Sequence, residues 1–132
     1  MPIPTPIETE AAILNASADG GLEIHFKGHV KLTVKNVQEV LDTRHRICGN
    51  TRYRVLVTLP EDIDFAPNVL TYDHYQHRDM HLCTYAVAWE AGSDLNEKLL
   101  EIFYRYFPQP FPVKAFRTQD EARGWLAEQH HD

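Results

Sequence analysis

The sequence predicts an α/β domain with a mostly parallel sheet of about five strands, an opening antiparallel hairpin and four helices. Two observations favour this fold class. After the hairpin, strand and helix patterns alternate in the order ββαβαβαβα, which implies parallel strands joined by right-handed crossovers. The segments 53–59 and 82–89 are apolar almost throughout, as is typical of strands covered on both faces. We therefore expect one domain over residues 11–129, preceded by an extended, proline-rich lead-in over residues 1–10.

The first half of the chain supplies the hairpin and the first crossover unit. Segments 11–18 and 22–27 flank the turn Asp19-Gly20-Gly21, where glycine supplies positive φ values. Thr33 is a predicted cap for a helix over about residues 34–48, which ends at Gly49. The strand 53–59 follows and ends at Pro60.

The second half contains three further predicted helices. Pro67 stands near the start of one over about residues 66–79. Ser93 or Asp94 caps the next, and Thr118 begins a capping box before the last. Between these last two helices the segment 113–116 reads as a short strand. The helix after Ser93 is expected to bury five apolar side chains, namely Leu95, Leu99, Ile102, Phe103 and Tyr106.

The charge balance argues against a nucleic-acid-binding protein. Lys and Arg number 13 against 19 Asp and Glu, which gives a net charge of -6. Because affinity for nucleic acid depends on basic side chains that neutralise phosphates, we expect no nucleic-acid partner.

The two cysteines, Cys48 and Cys83, stand 35 residues apart and lie on predicted buried elements. Their spacing indicates neither a disulfide framework nor a zinc knuckle, and buried thiols are usually inert. No export signal or membrane-spanning run is recognisable. The sequence therefore predicts a reduced, cytoplasmic protein without a cofactor.

The C-terminal stretch PFPVKAFRTQDEARGWL, preceded by EIFYRYF, resembles the ending of SpoIIAA-like bacterial proteins, which are related in fold to STAS and CRAL-TRIO-like domains. The element order agrees from about residue 10 to residue 128. The matching residues are Pro112, Lys114, Phe116, Glu121, Ala122, Trp125 and Leu126. The resemblance implies a mostly uncharacterised group, some of whose relatives are regulatory partners or bind apolar ligands.

One departure from STAS regulators concerns their phosphorylatable Ser or Thr, which stands at the start of the helix after the third strand. Here residues 60–66 read PEDIDFA, and no hydroxyl side chain occurs there before Thr71. Regulation by phosphorylation at that position is therefore not expected.

A histidine cluster in HYQHRDMH is the strongest candidate metal site. His74, His77 and His81 would fall on one face of a helix, and His77 and His81 have the i, i+4 spacing of helical zinc ligands. The alternative is that these are exposed histidines at the rim of the domain, since no H-E-x-x-H motif is present.

Acidic side chains form a second candidate site. Ligands of open parallel sheets bind outside the carboxyl ends of the strands. The acids expected there, as a cation or partner surface, are Glu61, Asp62, Asp64, Glu90 and Asp94. The alternative interpretation makes Asp64 and Asp94 helix caps and leaves the others solvated.

Aromatic side chains form the third candidate. FYRYF carries aromatics on more than one helix face, so that some of them are left for an apolar ligand or a second copy of the chain. We name Phe107 and Phe111 as candidate surface residues; the wider set also includes Phe103, Tyr104, Tyr106 and Phe116.

Three functions follow from these patterns. The first is a non-enzymatic binding or regulatory module that forms a homodimer. The second is a metal-dependent enzyme that uses His74, His77 and His81. The third is a carrier of a small apolar or lipid-like ligand.

Overall fold

The computed structural model describes residues 5–16, 20–49 and 51–129. These residues form eight strands and three α-helices, where the sequence predicted four helices. In chain order the elements are β1 (Ile7–Glu8), β2 (Ala12–Ala16), β3 (Gly21–Phe26), β4 (Lys31–Leu32), α1 (Val34–Cys48), β5 (Tyr53–Leu59), β6 (Asp64–Phe65), β7 (Thr84–Ala91), α2 (Asp94–Tyr106), β8 (Val113–Phe116) and α3 (Gln119–Ala127).

The central sheet has six strands in the order β1-β2-β3-β5-β7-β8. Strands β1, β2 and β3 are antiparallel neighbours, whereas β3-β5, β5-β7 and β7-β8 are parallel. The short strands β4 and β6 form a separate parallel pair. The predicted α/β class and mostly parallel sheet are therefore confirmed. Ile7–Glu8, inside the predicted lead-in, extends the sheet as an edge strand. The end of the predicted strand segment 11–18 and the first residue of the predicted turn, Asp19, lie outside the described residues.

The helix caps agree with the sequence. The side chains of Thr33, Ser93 and Thr118 each accept a hydrogen bond from a backbone N–H in the first turn of α1, α2 and α3. At the other end of α1, Gly49 adopts a positive φ of 54°. These local signals define where each helix begins because they act within one turn.

The helices cover the two faces of the sheet unequally. Helices α1 and α2 contribute to the larger core, and α3 packs on the opposite face. The smaller core combines Leu56, Ala86, Ala88, Ala122 and Leu126, with Phe116 and Trp125 packed against it. Small alanines on β7 and α3 allow a close approach of helix and sheet.

Helix α2 is rotated relative to the predicted orientation. Its buried side carries Asn96, Leu100 and Phe103, whereas three of the five side chains predicted to be buried are exposed. Those three are Leu95, Ile102 and Tyr106. The prediction was wrong because α2 has apolar side chains on two faces, and periodicity alone does not say which face meets the sheet.

The predicted helix over residues 66–79 is absent. This segment consists of turns and ends in a short 3-10 helix, Met80–Leu82. The Asp73 carboxylate accepts a hydrogen bond from the backbone N–H of Tyr75, and His77 has a positive φ of 62°. Both features interrupt helical geometry. Residues 66–82, which we call the cover loop, therefore cross the sheet as an irregular segment.

No helix in the described part of the chain is long and apolar enough to cross a membrane.

Candidate ligand-binding site

A cavity of about 80 Å³ lies between the sheet and the elements that cover it. Strands β3, β5 and β7 form its floor, α1 and α2 form its walls, and the cover loop contributes Val69, Leu70, His74 and Tyr75. Most of the lining is apolar, including Ile24, Phe26, Val57, Val87 and Phe103. The cavity therefore favours a small apolar group.

One charged side chain, Arg44, lines this apolar cavity. Arg44 lies on α1, between Leu41 and Cys48, and only 2% of its surface is exposed. Its Nη2 donates a hydrogen bond to the Thr84 hydroxyl, but its Nε has no acceptor. Among the described residues, no carboxylate forms an ion pair with this guanidinium.

Burial lowers the pKa of Arg44 from its ordinary value, and the neighbouring Tyr75 and Tyr104 oppose that shift. A guanidinium remains charged in proteins because its ordinary pKa is so high. The cavity wall thus holds a positive charge that no carboxylate of the described residues balances.

Two tyrosine hydroxyls form a polar cluster in the same wall. The hydroxyl oxygens of Tyr75 and Tyr104 lie 2.9 Å apart, and the indole Nε1 of Trp89 donates to the Tyr104 hydroxyl at 3.2 Å. Burial raises the pKa of Tyr104 well above its ordinary value, so that this hydroxyl stays protonated. One of the two hydroxyl protons is used between the tyrosines, so that Arg44 and the other hydroxyl can donate hydrogen bonds to an anionic group.

His74 is a neutral part of the cavity wall. Its Nε2 lies 2.6 Å from the carbonyl oxygen of Val69 and donates to it, while Nδ1 faces the side-chain amide of Gln38 at 3.4 Å. Burial lowers the pKa of His74 from its ordinary value. Both ring nitrogens therefore have partners when the imidazole is uncharged.

The structure does not bring the three predicted metal ligands together. His74 is buried with its own hydrogen bonds, whereas His77 and His81 are exposed. Among the described residues, the one group with ligand atoms close enough to share an ion consists of His45, Cys48 and Cys83. The predicted convergence depended on a helix over residues 66–79, and the structure has no α-helix there.

The predicted acidic residues are likewise spread over separate contacts. Asp62 accepts from the imidazole of His29 at 2.9 Å, and Asp94 forms an ion pair with Arg117. Asp64 is exposed and accepts from the backbone N–H of Phe65. Asp94 follows the N-cap Ser93 rather than capping α2 itself. Glu61 is exposed and Glu90 is half-buried.

The aromatic candidates divide between core and surface. Phe111, which the sequence placed on a surface, is buried and contacts the ring of Tyr75. Phe107 is half-buried against Phe103. Tyr106 is 75% exposed.

Two features were missed from the sequence. The structure joins Cys48 to Cys83 in a disulfide, so the prediction of two separate thiols is wrong. Arg44 was also overlooked, although it stands four residues after Val40 and three after Leu41 on the buried face of α1. A charged residue in a core position of the apolar pattern was the available signal.

Comparisons with known proteins identify the fold. The model of the domain of unknown function DUF7793 matches residues 16–130. A solved structure from Shewanella loihica PV-4, an uncharacterised protein of the DUF3478 family with a SpoIIAA-like fold, superposes with a TM-score of 0.60. It shares 17% identity, and the match covers 88% of this chain and 92% of that one. No curated protein matches the chain. The predicted SpoIIAA-like fold is confirmed.

Proposed function

The chain belongs to the family of the domain of unknown function DUF7793, and we propose from the geometry of its cavity that it binds a small apolar carboxylic acid. The observation that carries the proposal is the buried guanidinium of Arg44, which lines an apolar cavity without a carboxylate partner among the described residues. A bound acid would place its carboxylate at Arg44 and its hydrocarbon part among the apolar side chains.

The energetic argument concerns the burial of a single charge. Moving a charged side chain from water into the interior of a protein costs several kcal/mol. An opposite charge close by offsets this cost. Guanidinium and carboxylate form two parallel hydrogen bonds, which suits Arg44 because its Nε still lacks an acceptor. The carboxylate of a ligand supplies both the charge and the acceptor.

The volume of the cavity limits the size of the ligand. A cavity of about 150 Å³ holds benzene, so the volume of about 80 Å³ here suits a smaller molecule, an acid of about three or four carbons. Displacement of the cover loop would admit a longer chain. This proposal combines two of the functions that the sequence predicts, the binding or regulatory module and the carrier of a small apolar ligand. Regulation would then depend on whether the ligand is bound.

Isothermal titration with propionate, butyrate and butanol tests the proposal. We expect the carboxylates to bind and the alcohol to bind at least about tenfold more weakly, because a hydrogen bond to a charged group contributes about 1.5–3 kcal/mol. Arg44→Met should lower the butyrate affinity about 10- to 100-fold and leave the butanol affinity nearly unchanged.

Two further variants separate ligand recognition from folding. Arg44→Lys keeps the charge and should retain part of the preference for the acid. Arg123→Met removes a cation from the opposite face of the sheet, where Arg123 pairs with Glu23, and should have no effect. Equal binding of butyrate and butanol by the wild-type protein would contradict the proposal, as would an equal loss of butyrate affinity in both arginine-to-methionine variants.

We also propose that the protein forms a homodimer through α2. Leu95 is 65% exposed and Ile102 is 45% exposed. Together with the half-buried Leu99 and the exposed Tyr106 they form a stripe along one face of the helix, at successive spacings of four, three and four residues. A second copy of the same stripe would cover it in a twofold arrangement.

A further inference from the structure

Three side chains with metal-binding atoms converge at the C-terminal end of α1, away from the residues that line the cavity. They are His45, Cys48 and Cys83, and their ligand atoms all lie within 4.8 Å of one another. The Nδ1 of His45 lies 3.9 Å from the Sγ of Cys83. The two cysteines are joined as a disulfide in this structure, with their Cα atoms 5.7 Å apart.

We propose that the reduced form of this cluster binds Zn²⁺ through the two thiolates and the His45 imidazole. Cysteine sulfur and histidine nitrogen are the protein ligands that zinc prefers. The zinc site and the disulfide would exclude each other, because a sulfur in an S–S bond offers no thiolate. In the reducing compartment that the sequence predicts, the thiols and hence the metal site would be favoured.

The distances fit a tetrahedral ion. With Zn–S of about 2.3 Å and Zn–N of about 2.0 Å, two ligand atoms of a tetrahedral site lie roughly 3.6–3.8 Å apart. The distance from the Nδ1 of His45 to the Sγ of Cys83 is 3.9 Å, slightly longer than this range. Once the S–S bond is broken, small side-chain rotations can separate the sulfurs without movement of the two backbones.

The backbone around the cluster holds the ligands in place. His45 and Cys48 are three residues apart on α1, so both face the same side of its last turn. Cys83 is held at the start of β7, where its carbonyl oxygen accepts from the backbone N–H of Tyr53 at 2.8 Å. The carbonyl end of α1 also carries partial negative charge, which favours a cation.

The exposure of the ligands determines how the ion is reached. Cys48 and Cys83 are buried, whereas His45 is exposed. Zinc would therefore be open to solvent on the imidazole side, and a water molecule would complete the four ligands. Three protein ligands and one exchangeable position are the arrangement of an open zinc site rather than of a closed structural one.

The disulfide form converts to the zinc-bound form in two steps, reduction and metal binding. A dithiol reductant donates two electrons and two protons to the S–S bond, is itself oxidised to a disulfide, and leaves Cys48 and Cys83 as thiols. Binding of one Zn²⁺ then releases the two thiol protons to solvent. Oxidation by a disulfide of the same class reverses the first step after the metal has left.

Metal titration of the tag-free protein tests this proposal. The protein is reduced with a phosphine, which becomes a phosphine oxide, is freed of metal, and is titrated with Zn²⁺ against a chromophoric chelator. We expect one tightly bound ion per chain in the reduced protein and none in the oxidised protein. Co²⁺ in place of Zn²⁺ should give thiolate-to-cobalt charge transfer and the visible bands of a tetrahedral ion.

Variants distinguish this site from adventitious binding by the other histidines. Cys83→Ser should abolish tight binding and the charge-transfer band. His45→Ala should lower the zinc affinity more than about tenfold, since even loss of an outer-shell partner costs at least that much. His81→Ala is the matched control, because His81 is exposed and only two residues from Cys83. The proposal is overturned if the reduced wild-type protein fails to compete with the chelator, or if His81→Ala weakens binding as much as His45→Ala.

Discussion

Arg44 illustrates how one residue can indicate a binding function. Charged side chains are rarely buried completely unless an opposite charge accompanies them. Arg44 is buried, lines an apolar cavity and lies near two tyrosine hydroxyls, and no carboxylate of the described residues pairs with it. Burial of this charge without a carboxylate partner lowers the free energy of unfolding, which is why we propose that Arg44 serves ligand recognition.

His74 makes a testable contribution to the pH dependence of stability. Its pKa is lowered in the folded protein from an ordinary value of 6.5, because burial disfavours the imidazolium. Below pH 6.5 the unfolded chain therefore binds more protons at this residue than the folded chain does. The contribution of His74 is fully present above pH 6.5 and decreases as the pH falls below it.

We expect His74→Gln, whose amide keeps a hydrogen-bond donor, to flatten this dependence. Urea unfolding between pH 6.5 and about pH 5.5, which stays about one unit above the ordinary glutamate pKa of 4.5, should show a smaller loss of unfolding free energy in the variant than in the wild-type protein. Parallel curves for the two proteins would show that His74 does not titrate in this way.

At the scale of elements, the cover loop is the main difference from the sequence prediction. Proline near a predicted first turn, followed by apolar and histidine residues at helical spacing, indicated a helix. In the structure Val69, His74 and Met80 are buried at intervals of five and six residues, which no helix would place on one side. An irregular loop can direct these side chains into the core individually, and Val69 and His74 thereby line the cavity.

Helix α2 gives the prediction for self-association. A paired substitution, Leu95→Gln with Ile102→Gln, should raise the dimer dissociation constant more than about 100-fold, because burial of each large apolar side chain contributes roughly 1.5–3 kcal/mol and a twofold interface contains each position twice. Sedimentation equilibrium measures the constant. Leu82→Gln is the control, since Leu82 is 55% exposed and lies off the helix.

The homodimer is contradicted if the wild-type protein sediments as a monomer at high concentration. It is also contradicted if Leu82→Gln dissociates the protein as strongly as the paired substitution on α2.

At the scale of the whole molecule, the disulfide connects two elements that the sheet brings together. The bond links the end of α1 to the residue before β7, across 35 positions of sequence. Closing a loop of that length restricts the unfolded chain and contributes roughly 3–4 kcal/mol to the free energy of unfolding.

We therefore expect reduction, in the presence of a chelator, to lower the unfolding free energy of the wild-type protein by roughly that amount. Thermal and urea unfolding measured with and without a phosphine reductant provide the comparison. Cys83→Ser is the control and should be insensitive to the reductant. An unchanged wild-type curve after confirmed reduction would contradict the expectation.

The resemblance to SpoIIAA-like proteins indicated the fold, although the predicted order contained one helix too many and lacked the short strands β1, β4 and β6. From its own patterns the sequence determined the α/β class, the two strands of the hairpin and the three helix caps. Those signals are local, because periodicity and caps act within one or two turns of chain. Only the tertiary structure decided which face of α2 is buried, how the cover loop runs, and that Cys48 meets Cys83. It also placed Arg44 against Thr84, 40 positions away in the chain. These features depend on contacts between distant segments, and no local pattern encodes them.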